Sequence, residues 1–373
     1  LRCLDNHLEV GRLAGYRWYL FCRAAVYSHW ALSVDADKVV VYSRPHHGAS
    51  LICRWSPCMT APNIRIGIIG TGAIGGFYGA MLARAGYDVH FLLRSEYETV
   101  LQNGLQINSA VHGSMHLDSV QAYRTAAQMP KCDWLLIGAK STSNKELAPL
   151  IAEAAAEDAK VVVLQNGLGV EETLREALPS DLHLLGGLCL ICAHRSALGV
   201  VEHQALGGVN IGYHSGPASE ADQQRLVEEA VAMFREAGID SNSATNLAQA
   251  RWQKLVWNLP YNGLSVLLDA STAPLMSNPD SRALVKSIML EACGAAAACG
   301  LPLPDALVDR MMTFTDKMPD YLPSMYHDHA QGRPMELGAI YAAPLAAAAD
   351  AGFAMPKTEA LYQALRFLSA RTH

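Results

Sequence analysis

Three polar side chains recur at regular spacing in the stretch ARWQKLVWNLPYNG: Lys254, Asn258 and Asn262, at i, i+4 and i+8. On a helix they share one face. Trp252, Leu255, Val256 and Leu259 cover the other faces, so the helix is expected to be largely buried. A lysine and two amides inside a buried helix need polar partners, and a ligand is one way to supply them. Such a set can donate a proton to an oxygen that becomes negative during reaction and can hold that oxygen in place. Burial would bring the lysine pKa down from its ordinary value of about 10.4, toward a more useful acid. Pro260 removes a backbone donor and is expected to kink or end this helix near Leu259.

A second group of residues points to a nucleotide. In IRIGIIGTGAIGG, an apolar strand runs into Gly70, Gly72 and Gly75, spaced GxGxxG, and a helix opens behind them. The first glycine permits the tight turn, the second lets backbone approach a pyrophosphate, and the third lets helix pack on strand. The stretch Gly70, Thr71, Gly72, Ala73, Ile74 and Gly75 is therefore the expected dinucleotide cradle, with free N–H groups at the helix start. The next strand, DVHFLL, ends at Arg94, where the adenosine ribose should sit. An acid there would favour NAD, whereas a guanidinium has no acceptor and matches an extra phosphate. The reading is NADPH/NADP; the competing one is an ordinary solvated arginine, with Glu96 on the ribose. Lys140 ends the strand DWLLIGA and Asn166 follows KVVVLQ, both at carboxyl ends of strands where doubly wound sheets bind ligands. Either residue could equally be a turn residue.

The elements that must position these groups follow from the pattern. Strands and helices alternate from Ile64 to about residue 215, which implies a parallel sheet with helices on both faces. EHQALGGVNIGYH is glycine-rich and is expected to form hairpin-like strands near the sheet edge. After about residue 218 only helical segments follow, among them NPDSRALVKSIMLEACGAAAACG, with Asn278–Pro279 as cap and first turn. The expected fold is α/β: an N-terminal Rossmann-type doubly wound sheet over 59–245, then an all-helical C-terminal domain over 246–373, with the cleft between them. Residues 1–58 start on Leu1, hold three of the six tryptophans and lack sustained periodicity. They are expected to be a non-native or disordered extension, with Met59 as the functional start.

Composition narrows the function further. The chain has 373 residues, 51% hydrophobic and 17% charged, with a formal net charge of -6. That balance argues against a basic nucleic-acid-binding surface, and no long apolar run argues for a membrane span. The cysteines form no disulfide framework, which suits the cytoplasm. Cys189 and Cys192 make a CxxC inside an apolar strand pattern, where i, i+3 side chains point to opposite faces, so no metal is expected. His327 and His329 flank Asp328 in what reads as a solvated turn; His194 and His203 read as structural or surface groups. Glu291, in mid-helix, is a candidate partner for a buried cation.

Taken together, the glycine-rich start, the lysine after the third strand pattern, LQNG, and WxKLxxNxxxN followed by LS resemble the ketopantoate reductase (2-dehydropantoate 2-reductase) family, over residues from about 63 to 370. The resemblance implies NADPH-dependent reduction of 2-dehydropantoate, or a similar small 2-keto acid, to the 2-hydroxy acid. It makes Lys254 the general acid and Glu336, in RPMELGAIYAAPL, the carboxylate that holds the substrate. Ser324, twelve positions earlier, contacts the substrate, as do Asn166, Asn258 and Asn262; Asn166 also lies beside the nicotinamide. Lys140 becomes a cofactor-side lysine and Arg94 the acceptor of the 2′-phosphate. Glu336 pairing with Lys254 would raise the lysine pKa, against the effect of burial. One position departs: Thr272 stands where some members carry a further asparagine, which bears on which keto acid is used. A reductase of the same superfamily acting on another keto or β-hydroxy acid, and a non-catalytic NADP sensor, are the alternatives. A sensor would have no use for an acid in an amide-lined pocket. The expected partner is a small-molecule 2-keto acid, with neither nucleic acid nor membrane; a homodimer stays open.

Overall fold

The computed structural model describes residues 64–371, together with the backbone of five short strands nearer the start of the chain. The chain divides into two compact units, Leu1–Pro62 and Asn63–His373. In the first, His7–Leu13 pairs antiparallel with Tyr16–Phe21, and Trp30–Asp35 with Lys38–Ser43. The expectation that residues 1–58 are a foreign extension otherwise lies outside the described residues.

The second unit is built on one mixed sheet. Its strands are β1 (Arg65–Ile69), β2 (Asp88–Leu92), β3 (Leu105–Ser109), β4 (Met115–Leu117), β5 (Gln121–Tyr123), β6 (Cys132–Ile137), β7 (Ala155–Val163), β8 (His183–Ala197), β9 (Val200–Ser215) and β10 (Ser241–Ser243). The order is β5-β2-β1-β6-β7-β8-β9-β3-β4, with β10 also on β9. From β5 to β8 all pairings are parallel, and the order reverses at β1, as a doubly wound nucleotide-binding sheet requires. These strands are covered on both faces, which is why LLI in β6 and VVV in β7 are continuous apolar runs rather than alternating ones. On one face α1 (Ala73–Arg84) and α5 (Glu220–Glu236) close a core around Ile66, Phe77, Phe91 and Phe234; on the other, α3 (Asn144–Ala154) and α4 (Val170–Arg175) cover Leu135, Ile137 and Val161.

The glycine-rich stretch is a single strand within β9, one arm of a hairpin with β8 that turns at Gly199 with φ 73, rather than the several strands expected of it. It does not lie at the sheet edge, however. β3 pairs parallel with Val200–His203, and β4 pairs with β3 outside it. Strand β3 buries alternate residues only, and five residues of alternation carry little signal in the sequence.

The remaining chain is helical: α6 (Leu247–Leu267), α7 (Thr272–Ser277), α8 (Pro279–Ala298), α9 (Leu307–Lys317), α10 (Ser324–Ala330), a π-turn at Gly338–Ala342, α11 (Ala343–Asp350) and α12 (Pro356–Arg371). Asn278 caps α8 by accepting from the N–H groups of Asp280 and Ser281, as its position before Pro279 suggested. Helix α6 runs through the middle of a third core, with Trp252, Leu255, Val256 and Leu259 buried against α8 and α12.

Two expectations about these helices are corrected. Pro260 does not end α6, which continues to Leu267. The Tyr341 hydroxyl enters the backbone ladder at this point, donating to Leu259 O at 2.7 Å and accepting from Gly263 N–H. The inserted hydroxyl bridges the Leu259 carbonyl and the Gly263 N–H, in the turn after the bond to Val256 O that Pro260 cannot make. It also requires Gly263, where a Cβ would lie 2.4 Å from that oxygen. Glu291 meets no buried cation. Its carboxylate caps the start of α12, accepting from Lys357 N–H, Thr358 N–H and the Thr358 hydroxyl at 2.8–3.0 Å. Orphan N–H groups at a helix start attract a carboxylate as a cation would. Among the described residues no helix is long and apolar enough to cross a membrane.

Candidate active site

The glycine-rich turn joins β1 to α1 against the end of β6. Gly70 sits at φ 90, and a Cβ there would fall 2.3 Å from Ala139 N. At Gly75 a Cβ would fall 2.3 Å from Gly70 O. Both positions are closed to any side chain by backbone. Gly72 is the opposite case, with nothing within 4 Å of the position a Cβ would take. It caps α1 without any side-chain acceptor on the first N–H groups, and that helix end opens on a cavity of about 900 Å³. The arrangement offers unpaired donors and the positive end of a helix dipole to an anion. Thr71, Ala73 and Ile74 line the same cavity, while Gly75 lies beneath it. Gly138 went unnoticed in the sequence, yet a Cβ there would meet Gly75 N at 2.7 Å and Gly70 O at 2.8 Å. Its signal was a small residue ending the strand that faces the turn.

Arg94 follows β2 with its side chain exposed on the cavity wall. The competing ribose acceptor, Glu96, is already engaged: it is buried and pairs with Arg195 from the end of β8. Burial raises the Glu96 pKa, against the pull of Arg195.

Helix α6 presents Lys254, Asn258 and Asn262 to this cavity together, as the i, i+4, i+8 spacing required. Lys254 Nζ is buried and has no hydrogen-bond partner among the described residues. Burial pushes its pKa down to about 8, and the Arg251 guanidinium acts in the same direction. Cys189 and Glu336 pull it upward without offsetting burial. Arg251, one turn earlier, was missed. Its guanidinium is buried, pairs with Glu171 on α4, and donates to the carbonyls of Gln165 and Val163. It anchors the start of α6 to the end of β7. An arginine next to Trp252 in a helix already read as largely buried was the available signal.

Glu336 does not pair with Lys254. Its Oε1 accepts from Ser141 N–H at 3.0 Å and the Ser141 hydroxyl at 2.9 Å, and its Oε2 lies 3.1 Å from Lys140 Nζ. Lys140 also donates to Asp328 Oδ2 at 2.7 Å, while Arg333 donates to the other Asp328 oxygen at 3.1 Å. The reason is position: Lys140 and Ser141 leave the end of β6 directly beneath the turn that carries Glu336. Burial works to lower the Lys140 pKa, but the two carboxylates outweigh it and hold the pKa above the ordinary lysine value. Burial likewise works to raise Glu336, and Lys140 and Ser141 keep it below the ordinary glutamate value. Asp328 corrects the reading of MYHDHA as a solvated turn. That stretch is α10, Asp328 is 2% exposed, and His327 stacks on His194 with ring centroids 4.6 Å apart. The signal missed was Arg333, a cation close enough to compensate a buried acid.

Asn166 and Ser324 both line the cavity. Thr272 does not. It holds the backbone of Tyr321, accepting from Tyr321 N–H at 3.0 Å and donating its own N–H to Tyr321 O at 3.0 Å. Tyr321, not Thr272, faces the cavity. Cys189 packs in the sheet core and Cys192 lies near Tyr321, yet both also line the cavity, so the two are not cleanly on opposite sides as the i, i+3 spacing suggested. Burial raises both thiols, Cys192 to about 12. Among the described residues no group of three or more His, Cys, Asp or Glu could hold a metal ion. His203 is structural, buried with its ring bonded to Ser109 at 2.8 Å.

Comparison with known proteins follows the same two halves. A family model described as Ketopantoate reductase PanE/ApbA matches residues 66–216, and one described as Ketopantoate reductase PanE/ApbA C terminal matches residues 246–369. A 2-dehydropantoate 2-reductase of Nostoc sp. is 41% identical over 304 residues, covering 82% of this chain and 95% of the relative. The crystal structure of 2-dehydropantoate 2-reductase from Geobacter metallireducens superposes with a TM-score of 0.76 at 40% identity, covering 83% of this chain and 100% of that one. That of the Methylococcus capsulatus 2-dehydropantoate 2-reductase gives 0.73 at 38% identity, covering 83% and 98%.

Proposed function

The chain belongs to the ketopantoate reductase family, and from that premise we propose that it reduces 2-dehydropantoate, or a close 2-keto acid, to the 2-hydroxy acid with NADPH. The observation that carries this reading is Lys254: a buried, unpartnered ammonium with its pKa near 8, on the same helix face as two amides. Reduction of a ketone leaves negative charge on oxygen, and a proton must reach that oxygen. Lys254 supplies the proton and, before transfer, the charge that stabilises the oxygen. It is left as a neutral amine, a form its dry surroundings tolerate.

The nicotinamide cofactor, when bound, supplies the hydride. Gly70 to Gly75 and the α1 N-terminus fit its pyrophosphate, because Gly72 is open where its neighbours are closed. For the finer choice, Arg94 supports a 2′-phosphate: it is an exposed guanidinium on the cavity wall, and the nearest acid, Glu96, is engaged by Arg195. Asn258, Asn262, Ser324 and Asn166 are assigned to the carboxylate, carbonyl and hydroxyl groups of the acid, to which amides and a hydroxyl donate without adding net charge. Glu336, held ionised by Lys140 and Ser141, is assigned to accept from a substrate hydroxyl. The buried thiols Cys132, Cys189 and Cys192 are free, which suits the cytoplasm as the setting.

The test is loss of NADPH absorbance with ketopantoate and a panel of other 2-keto acids. Turnover with ketopantoate is expected to exceed the others, and absence of turnover with every acid sinks the assignment.

A further inference from the structure

A second set of side chains faces the same cavity and takes no part in the chemistry above. On α9, Leu307, Met311 and Phe314 recur at i, i+4 and i+7, so they share one helix face, and all three line the cavity, with the charged Arg310 beside them on that face. From α6, Trp257 joins them, one turn beyond Lys254 and adjacent to Asn258. Its indole Nε1 donates to Thr315 Oγ1 at 3.1 Å, and that hydroxyl donates to Met311 O at 2.9 Å. The ring is therefore pinned to α9. From the β8–β9 hairpin come Leu190 and Leu206. Leu206 is held at φ 66, an uncommon conformation for a bulky residue, at the register break opposite Ile191.

These side chains are not sealed in a core. Leu190, Leu206 and Phe314 are 50%, 40% and 46% exposed, although they line a concave site. Apolar surface left open in a cavity favours an apolar occupant, which removes it from water. The polar groups occupy the stripe Lys254–Asn258–Asn262, and Trp257 flanks that stripe. With the carboxylate and carbonyl of the acid assigned to the stripe as above, the flank is the wall left for its remaining substituent.

On the reductase reading above, we propose that Trp257 and Phe314 form an apolar wall that reads the substituent on the carbon next to the keto group, and that Trp257 sets the size accepted. Because the indole is hydrogen-bonded to α9, it acts as a fixed gauge rather than a side chain that swings aside.

The experiment compares ketopantoate with benzoylformate, whose substituent is an aromatic ring, at saturating NADPH. Wild type, Trp257→Phe, Trp257→Leu and Phe314→Ala are each measured. In Trp257→Leu the ratio of kcat/KM for benzoylformate to that for ketopantoate rises by about 10- to 100-fold. Trp257→Phe and Phe314→Ala shift it less in the same direction, and KM for NADPH is unchanged in all. An unchanged ratio, an equal fall for both acids, or a change confined to the NADPH KM overturns the wall; the last outcome would assign it to the nicotinamide instead. Phe314 is half open to solvent, so Phe314→Ala keeps the test decisive if Trp257→Leu does not fold. Should wild type turn over neither acid, the reductase reading fails by itself. Calorimetric titration of both acids into wild type and Phe314→Ala then reads the wall directly, and an unchanged affinity ratio overturns it.

Discussion

Lys254 and Lys140 face one cavity, and their surroundings drive them apart. Both are desolvated, which taken alone lowers a lysine pKa. At Lys254, on α6, little opposes this, and the pKa falls to about 8. At Lys140, at the end of β6, Glu336 and Asp328 oppose it and the pKa rises. Burial thus does not decide what a lysine is for; its partners do. The α6 region holds a group ready to release a proton, and the β6 region holds a permanent cation clamped between two carboxylates.

The sharpest way to break this contrast is to remove each lysine. Lys254→Ala is expected to lower kcat by about 100- to 10,000-fold, the usual contribution of a positioned acid. NADPH binding, followed by nucleotide fluorescence, should stay near wild type. Turnover close to wild type would mean the acid lies elsewhere. Lys140→Met should act mainly on KM and stability. The side chain is 40% exposed, so solvent screening limits the stability loss to about 1–2 kcal/mol. The same contrast has a pH signature. The protonated form of Lys254 is the active one, so kcat/KM should fall as pH rises through about 8. Lys140, with its pKa raised, adds no second transition there. A profile flat well beyond pH 8 would remove Lys254 as the titrating group.

Next in size is the anchor of the acid rather than the acid itself. Glu171 and Arg251 are both buried, and Arg251 helps depress Lys254. Glu171→Gln leaves a guanidinium buried without its counter-charge, at a cost of about 3–5 kcal/mol. Denaturant unfolding should register that loss. A variant as stable as wild type would show that backbone carbonyls alone satisfy Arg251.

The two ends of the cavity also differ in how far they were legible from residues alone. The nucleotide cradle is made of backbone, and glycine spacing reports backbone geometry directly, so Gly70, Gly72 and Gly75 carried their own explanation. The α6 stripe was legible because helical spacing is local. What stayed hidden depends on long-range meetings: Lys140 reaches Glu336 across 196 positions, and Arg251 reaches Glu171 across 80. Asp328 read as a turn residue because nothing near it announced that Lys140 would arrive. Pro260 read as a kink or an end, and the Tyr341 hydroxyl that enters the ladder beside it, at Leu259 O, comes from 82 positions further along the chain. Strands β3 and β4 were too short to leave a pattern.

Arg94 tests the backbone-built end. Arg94→Ala should weaken NADPH by about 10- to 100-fold, in line with loss of charge-assisted bonds to a phosphate, while NADH changes little. The comparison of the two nucleotides is the measurement. Equal losses would make Arg94 a general surface charge and return the ribose to another group.

The smallest effect is expected at Thr272, and it separates a residue that touches substrate from one that holds a neighbour. The threonine stands apart from the family's asparagine, but its hydroxyl is turned to Tyr321 N–H and Asp320 rather than to the cavity. Thr272→Val keeps the shape and removes the acceptor. The buried Tyr321 N–H then loses its partner, at a cost of about 1 kcal/mol, or a few degrees in Tm. Tyr321 lines the cavity, so a slight loosening there can raise KM for the keto acid by a small factor, with kcat unchanged. Should KM rise by tenfold or more while Tm stays fixed, Thr272 must reach the substrate itself, and the division between cavity wall and supporting loop drawn here would have to move by one residue layer.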